Sequence, residues 1–268
     1  MPPLIPLAFG ASTAAFLVHE RRTRENAERL ASALLETLLN AIDATDTITG
    51  RHVRRTALYS LVLGDAADLD EHAIRSVERV ALFHDIGKID EALFDIIHDS
   101  SELTAAQRRA IATHPQRGAD TLAPLVPFYP DLAEGVLSHH ERWDGKGYPR
   151  KLRGEEIPVA ARIVAIADTF DAVTASRPYR RGRGPRVGAE VIAQGRGSQF
   201  DPSFVDLFLS PPVFECIEHA MEAAEARFAP RVDRRTGAPE PAPDLTFRWR
   251  DGFGEPPAPV KRRSSRSG

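Results

Sequence analysis

The chain holds nine histidines, and five of them fall into an ordered set with two aspartates. The set runs His52, then His84-Asp85, then His114, then His139-His140, and ends on Asp168 in a stretch that also carries Asp171. Neutral imidazole and carboxylate suit first-row divalent ions such as iron, manganese or zinc. Seven such groups exceed the needs of one four-coordinate ion, so two ions sharing a bridge would use them better. Asp85 is suited to that bridge, because a carboxylate can offer one oxygen to each ion. Two ions a few ångströms apart lower the pKa of a water and polarise a phosphate oxygen together, which is chemistry for cutting a phosphodiester.

Each piece also has a plainer reading. A lone histidine such as His52 or His114 is more often a satisfied core or surface residue, and His-Asp and His-His arise by chance. Order, spacing and surroundings favour ligands. His84-Asp85 ends the apolar run Val80-Ala81-Leu82-Phe83, and a buried imidazole–carboxylate pair without a partner would be costly. His19, His72, His98 and His219 lie outside the pattern and are read as ordinary residues.

Stepping along the chain, successive members of the set recur about one helical hairpin apart, so helices can each deliver a ligand to one interior point. Leu30, Leu34, Leu35, Leu38 and Ile42 recur at helical spacing. Thr104 and Gln107 form a capping box ahead of Ile111. Pro158 stands at the start of a helix over 160–175, and Asp201-Pro202 reads as an N-cap followed by proline in the first turn. Phe204, Leu207 and Phe208 are expected along one face of that last helix. No stretch alternates as a strand between hairpin turns. The predicted fold is all-α, a helical bundle.

Four segments are expected. Residues 1–22 are apolar at first: the run Leu4 to Val18 is shorter than the ~20 residues of a spanning helix and carries Pro6 and Gly10. A frayed or partner-packed N-terminus is expected there ahead of a short membrane anchor. Residues 23–45 read as a linker helix or one that pairs with its copy in a dimer. Residues 46–228 would be the catalytic domain. Residues 229–268, rich in proline, arginine and serine, are expected to be disordered.

Composition sets the remaining bounds. A length of 268 residues with 42% hydrophobic and 27% charged residues suits one soluble catalytic domain. A net charge of −3 supplies no positive field for a nucleic acid polymer, so an anionic ligand needs a local basic cluster. The single cysteine, Cys216, excludes an intrachain disulfide and a cysteine-rich zinc site, and a reducing cytoplasm is the natural setting.

The motifs themselves resemble a known family. His84-Asp85-Ile86-Gly87-Lys88 resembles the signature of HD-domain phosphohydrolases, and HHERWDGKGYP, from His139 to Pro149, looks like the diagnostic motif of the HD-GYP subfamily. The segment from Ala161 to Arg180 is similar to the family helix bearing the last aspartate, and Gln199-Phe200-Asp201-Pro202 matches the usual ending. The resemblance covers roughly residues 36–210. It implies an HD-domain helical bundle with the HD-GYP C-terminal helical extension, an iron or manganese centre, and hydrolysis of cyclic di-GMP to pGpG and on to GMP. Carried over, the metal ligands are His52, His84, Asp85, His114, His139, His140 and Asp168, with Asp85 and Lys88 catalytic. Lys88, Arg177 and Arg180 match phosphate-contacting positions; the two arginines would share one helix face if that helix persists.

Gly145, Gly147, Tyr148 and Pro149 make a loop, and in the family that loop shapes the site and meets protein partners. A structural turn is the equal alternative. Two departures stand out. Ile89 to Asp95 and His98 to Ser101 replace a Gly-Ile-Pro-like turn and a Lys-Pro-Gly-like loop with a more acidic stretch. Members with a third ion carry an acid one turn before the first histidine, where this chain has Ile48, with Asp46 close by. Two ions are therefore expected. The rival functions are a non-catalytic cyclic-dinucleotide sensor, which a missing ligand would favour, and an HD phosphohydrolase of another cyclic dinucleotide or nucleotide.

Overall fold

The computed structural model describes residues 5–89, 104–176 and 181–228; these form helices joined by turns and loops, with no strand among them. In chain order the helices are α1 (Ile5–Thr45), α2 (Thr47–Ala66), α3 (Glu71–Phe83), α4 (Ala105–Ile111) and α5 (His114–Leu122). They continue with α6 (Pro130–Ser138), α7 (Val159–Thr174), α8 (Pro185–Gln194), α9 (Pro202–Phe208) and α10 (Pro211–Phe228). Short 3-10 turns fill Ile86–Lys88, Ala123–Leu125 and Gly154–Glu156.

Small polar side chains set where the helices begin. Asp46 accepts from the Ile48 N–H at 2.8 Å to cap α2, and Asp70 accepts from the Ala73 N–H at 2.8 Å to cap α3. Thr104 and Gln107 make the expected reciprocal capping box on α4. Asp201 caps α9, with Pro202 in its first turn. The buried face of α9 is centred on Val205 and Phe208, while Phe204 and Leu207 are only half-buried. Phe204 instead sits 5.6 Å beneath the Arg162 guanidinium.

Contacts divide the chain between Ala41 and Ile42. Before that boundary lies most of α1, one continuous helix that runs through both the apolar segment and the linker or pairing helix expected there. Pro6 falls in its first turn, where a missing N–H costs nothing, and Gly10 carries only the usual ~1 kcal/mol penalty of an internal glycine. Among the described residues no helix is long and apolar enough to cross a membrane.

After the boundary, α7 is the central rod. Ala160, Ala161, Ile163, Val164, Ile166, Ala167 and Phe170 are all buried, so the helix is covered on nearly every side. α2, α3, α6, α8 and α9 pack against it. Tyr59 of α2 meets Phe170 edge-on at 5.4 Å, and Phe170 meets Phe208 of α9 at 5.2 Å. Each such side chain contributes about 1.5–3 kcal/mol on burial. The consequence for the site is placement: anything polar on α7 is held in the interior by the apolar residues above and below it.

Gly87 fixes a second close approach. A Cβ there would lie 2.1 Å from the His114 carbonyl oxygen and 2.7 Å from the Gly118 nitrogen, so only glycine lets the turn after Asp85 touch α5.

Candidate metal centre

Three of the ligand histidines sit at helix ends. His84 follows the last residue of α3, His139 follows the last residue of α6, and His114 opens α5. The C-termini of α3 and α6, their negative dipole ends, thus face the cluster and favour a cation. Each of these rings turns Nδ1 to the carbonyl three residues back: Ala81 at 2.8 Å, Ile111 at 2.7 Å and Val136 at 2.6 Å. A carbonyl only accepts, so Nδ1 carries the proton and Nε2 presents a lone pair to the interior.

The lone pairs converge. His114 Nε2 and His139 Nε2 lie 3.0 Å apart, each with its proton committed elsewhere. His84 Nε2 is buried without a hydrogen-bond partner. Electron pairs facing one another in a buried site need a cation between them, so the donor set fits divalent metal. The groups fall into two clusters of ligand atoms, His114 with His139 and His140, and His52 with His84 and Asp85. Asp168 on α7 joins the second, its Oδ1 3.2 Å from His52 Nε2 and 3.9 Å from His84 Nε2.

Asp85 lies between the clusters. Its Oδ2 is 3.7 Å from His52 Nε2 and 3.5 Å from His84 Nε2, while its Oδ1 is 3.4 Å from His114 Nε2. Lys88 comes round the 3-10 turn to place Nζ 2.7 Å from both oxygens, with its hydrogen bond to Oδ2.

Charge follows geometry. Burial holds His114 down to about 3 and His140 down to about 4, and burial with the neighbouring imidazoles keeps His139 well below the usual histidine range. These three imidazoles are neutral at neutral pH, the form in which a histidine can serve as a ligand. His52 behaves oppositely: burial opposes its charge, but the Asp168 and Asp171 carboxylates outweigh that and raise it to about 9. A proton on His52 therefore balances the acids when no other cation does. Asp85 and Asp168 are held low against burial, Asp85 chiefly by Lys88 and Asp168 chiefly by His52.

Three residues at the site, Asp171, Arg55 and Glu141, were given no role from the sequence. Asp171, buried one turn beyond Asp168, accepts from His52 Nδ1 at 2.7 Å and from both Nε and Nη2 of Arg55 at 2.6 and 2.9 Å. An acid on an otherwise apolar helix was the available signal. Glu141, buried beside His140, accepts from the Arg150 N–H at 2.7 Å and the Leu152 N–H at 3.1 Å. That carboxylate closes the loop holding Gly147, Tyr148 and Pro149, whose Tyr148–Pro149 peptide is cis. Tyr148 stacks on the His140 ring at 4.9 Å, so the loop lies against the ligand cluster. A Cβ on Gly147 would come within 2.4 Å of the Arg142 nitrogen. The Trp143 and Asp144 N–H groups donate to the carbonyls of Gln199 and Ser198, which joins the two most family-like segments.

Other expected residues resolve differently. α7 ends at Thr174, with Ala175 extended; Arg177 and Arg180, expected on one helix face, fall outside the described residues. The altered stretch after Ile89, from 90 to 103, and the tail 229–268 also fall outside them. α2 runs unbroken through Gly50. Asp46 spends its oxygens on the Ile48 N–H and, at 2.6 Å, the Thr49 hydroxyl, while Ile48 is exposed.

Comparison with known proteins agrees with this geometry. A family model described as HD domain matches residues 36–204. The 3'3'-cGAMP-specific phosphodiesterase 2 of Vibrio cholerae is 36% identical over 66% of this chain and 34% of its own length. The cyclic di-GMP phosphodiesterase response regulator RpfG of Xanthomonas campestris is 34% identical over 71% of this chain and 48% of its own. The chain thus spans half or less of the length of these relatives. The crystal structure of a cyclic GMP-AMP-specific phosphodiesterase of V. cholerae, V-cGAP3, shares the fold with a TM-score of 0.50 at 22% identity, over 75% of this chain and 56% of that one. With the matched segment enclosing every expected ligand, the chain belongs to the HD domain family.

Proposed function

We propose that this chain is a metal-dependent phosphodiesterase that opens a cyclic dinucleotide, with cyclic di-GMP the favoured substrate and pGpG the first product. One observation carries the reading: the Asp85 carboxylate faces an imidazole cluster on either side, within 3.4–3.7 Å of His114, His84 and His52. That is an arrangement for two ions, iron or manganese by resemblance, held by His52, His84, Asp85, Asp168, His114, His139 and His140. Bound there, the ions would supply Lewis acidity for phosphate and an activated water.

The chain's own residues do the rest. Asp85 and Asp168 give the site negative charge that only cations relieve. Lys88, a quarter exposed at the edge of the cluster, carries a charge able to turn from Asp85 to a phosphate oxygen and offset its growing charge. Tyr148, stacked over His140, forms a wall against which a substrate would be oriented. Arg177 and Arg180 would hold the remaining phosphate charge. The Gly-Tyr-Pro loop also offers a surface for a protein partner, and α1 for a second copy of the chain. A cytoplasmic setting, with membrane association through the apolar first turns of α1 as the alternative, completes the reading.

A second substrate has a specific support. The 36%-identical relative is named for 3'3'-cGAMP rather than cyclic di-GMP. Anaerobic purification, metal analysis and product chromatography with cyclic di-GMP, 3'3'-cGAMP and cyclic di-AMP test the proposal together. Two ions per chain with a linear dinucleotide product support it. Metal without turnover of any of the three would favour a sensor instead.

A further inference from the structure

The ligand histidines are oriented by two different devices. His84, His114 and His139 each lean on a carbonyl three residues back in their own segment. His52 has no such local support. Its Nδ1 is held by Asp171, 119 residues further along the chain and on a different helix, at 2.7 Å. Asp171 is itself clamped, because Arg55, one turn after His52 on α2, takes its Oδ1 through Nε and its Oδ2 through Nη2. The carboxylate is 1% exposed, so neither partner is exchanged for water. His52 and Arg55 thus grip one acid from adjacent turns of α2, and that grip leaves His52 Nε2 aimed at Asp168 Oδ1, 3.2 Å away.

We propose that Asp171, set by Arg55, is a positioning residue that makes the two ion positions unequal, tightening the one served by His52, His84 and Asp168. This rests on the two-ion reading given above. An imidazole whose far nitrogen donates to a carboxylate is a better electron donor than one donating to a neutral carbonyl, and its ring cannot rotate away from the ion. The cluster of His114, His139 and His140 has no acid in the corresponding place among the described residues. Arg55 tempers the effect by sharing the carboxylate, so its removal should alter binding at the same position and leave the other alone. Neither Asp171 nor Arg55 needs to touch an ion for this.

The test is a metal titration of the whole chain with manganese, read by competition with a chromophoric chelator and by bound metal after desalting. Wild type should show two ions. Asp171→Asn, which keeps the shape and gives up the charge, should weaken one ion about 10- to 100-fold and leave the other within about twofold. Asp171→Glu should recover part of the loss, and Arg55→Gln should move only the affected ion. Thermal melting of each metal-free variant separates misfolding from altered binding, and Arg55→Gln serves where Asp171→Asn does not fold. Two ions of unchanged affinity in a folded Asp171→Asn protein, or an equal loss at both positions, would overturn the inference. Wild type binding no manganese at all would instead remove the two-ion reading beneath it.

Discussion

Gly87 offers the sharpest test of how the site is held. In Gly87→Ala the new Cβ would meet the His114 carbonyl oxygen at 2.1 Å and the Gly118 nitrogen at 2.7 Å, against the ~3.0 Å below which real Cβ contacts essentially never fall. Both obstacles are backbone, so no rotamer change relieves them. The start of α5 must retreat by roughly 0.9 Å, the shortfall on the carbonyl oxygen, or the turn carrying Asp85 and Lys88 must do so. Overpacking of this kind costs about 1–3 kcal/mol. At about 2–4 °C per kcal/mol for a chain of this size, the melting temperature should fall by about 2–12 °C. Activity should suffer more than stability. His114 Nε2 lies 3.4 Å from Asp85 and 3.0 Å from His139 Nε2, and a misplacement of ~1 Å in a reacting constellation can cost about 100-fold. Differential scanning fluorimetry, metal analysis and product chromatography read the three effects separately. Gly118→Ala is the control, since its nearest obstacle is the Val136 side chain at 3.0 Å. A Gly87→Ala protein with wild-type melting, metal content and turnover would refute the account.

Three further outcomes are expected. Asp85→Asn should abolish turnover and lower bound metal while leaving the helical circular dichroism signal intact; turnover near wild type would displace Asp85 from the centre. Lys88→Gln should lower kcat more than it raises KM for the cyclic dinucleotide, because its charge counts most in the transition state, and a pure KM effect would make it a binding residue. In metal-free protein, His52 is raised to about 9 from an unfolded value near 6.5, so its stabilisation is full below about pH 6.5 and lost as pH rises through about 9. Melting temperature after chelation should therefore decline across that window in wild type, and a His52→Gln variant showing the same decline would place its origin elsewhere.

The residues that converge on the candidate centre were legible because they combine rare residue types with helix-length spacing, and the all-helical fold followed from caps such as Thr104-Gln107 and Asp201-Pro202. What escaped was pairing at a distance. Asp171 stands in the same apolar stretch as Asp168, but nothing local announces that its partners are His52 and Arg55, more than a hundred residues earlier. Glu141 was hidden in plain view inside HHERWDGKGYP, since a carboxylate that binds loop N–H groups looks the same in sequence as one that binds a substrate. The end of α7 was legible to within a residue, expected at Ala175 and found at Thr174. On α9 the pattern placed Phe204 inward, but the fully buried positions are Val205 and Phe208, and Phe204 stays half-buried beneath the Arg162 guanidinium of α7.

Seating His84 and His139 just past the last residue of their helices, while His114 leans across from α5 to Ile111 of α4, has a consequence for how such a chain can change. A ligand oriented by the carbonyl three residues behind it is indexed to its own helix, not to the length of the connection that leads there. Insertions and deletions in the links between helices, such as 126–129 ahead of α6, leave that index untouched. One residue added within the last turn of α6 would turn His139 by about 100° and spoil the set. Architecture of this kind separates two clocks: the lengths of such links can drift, while the cradle keeps time with the helices.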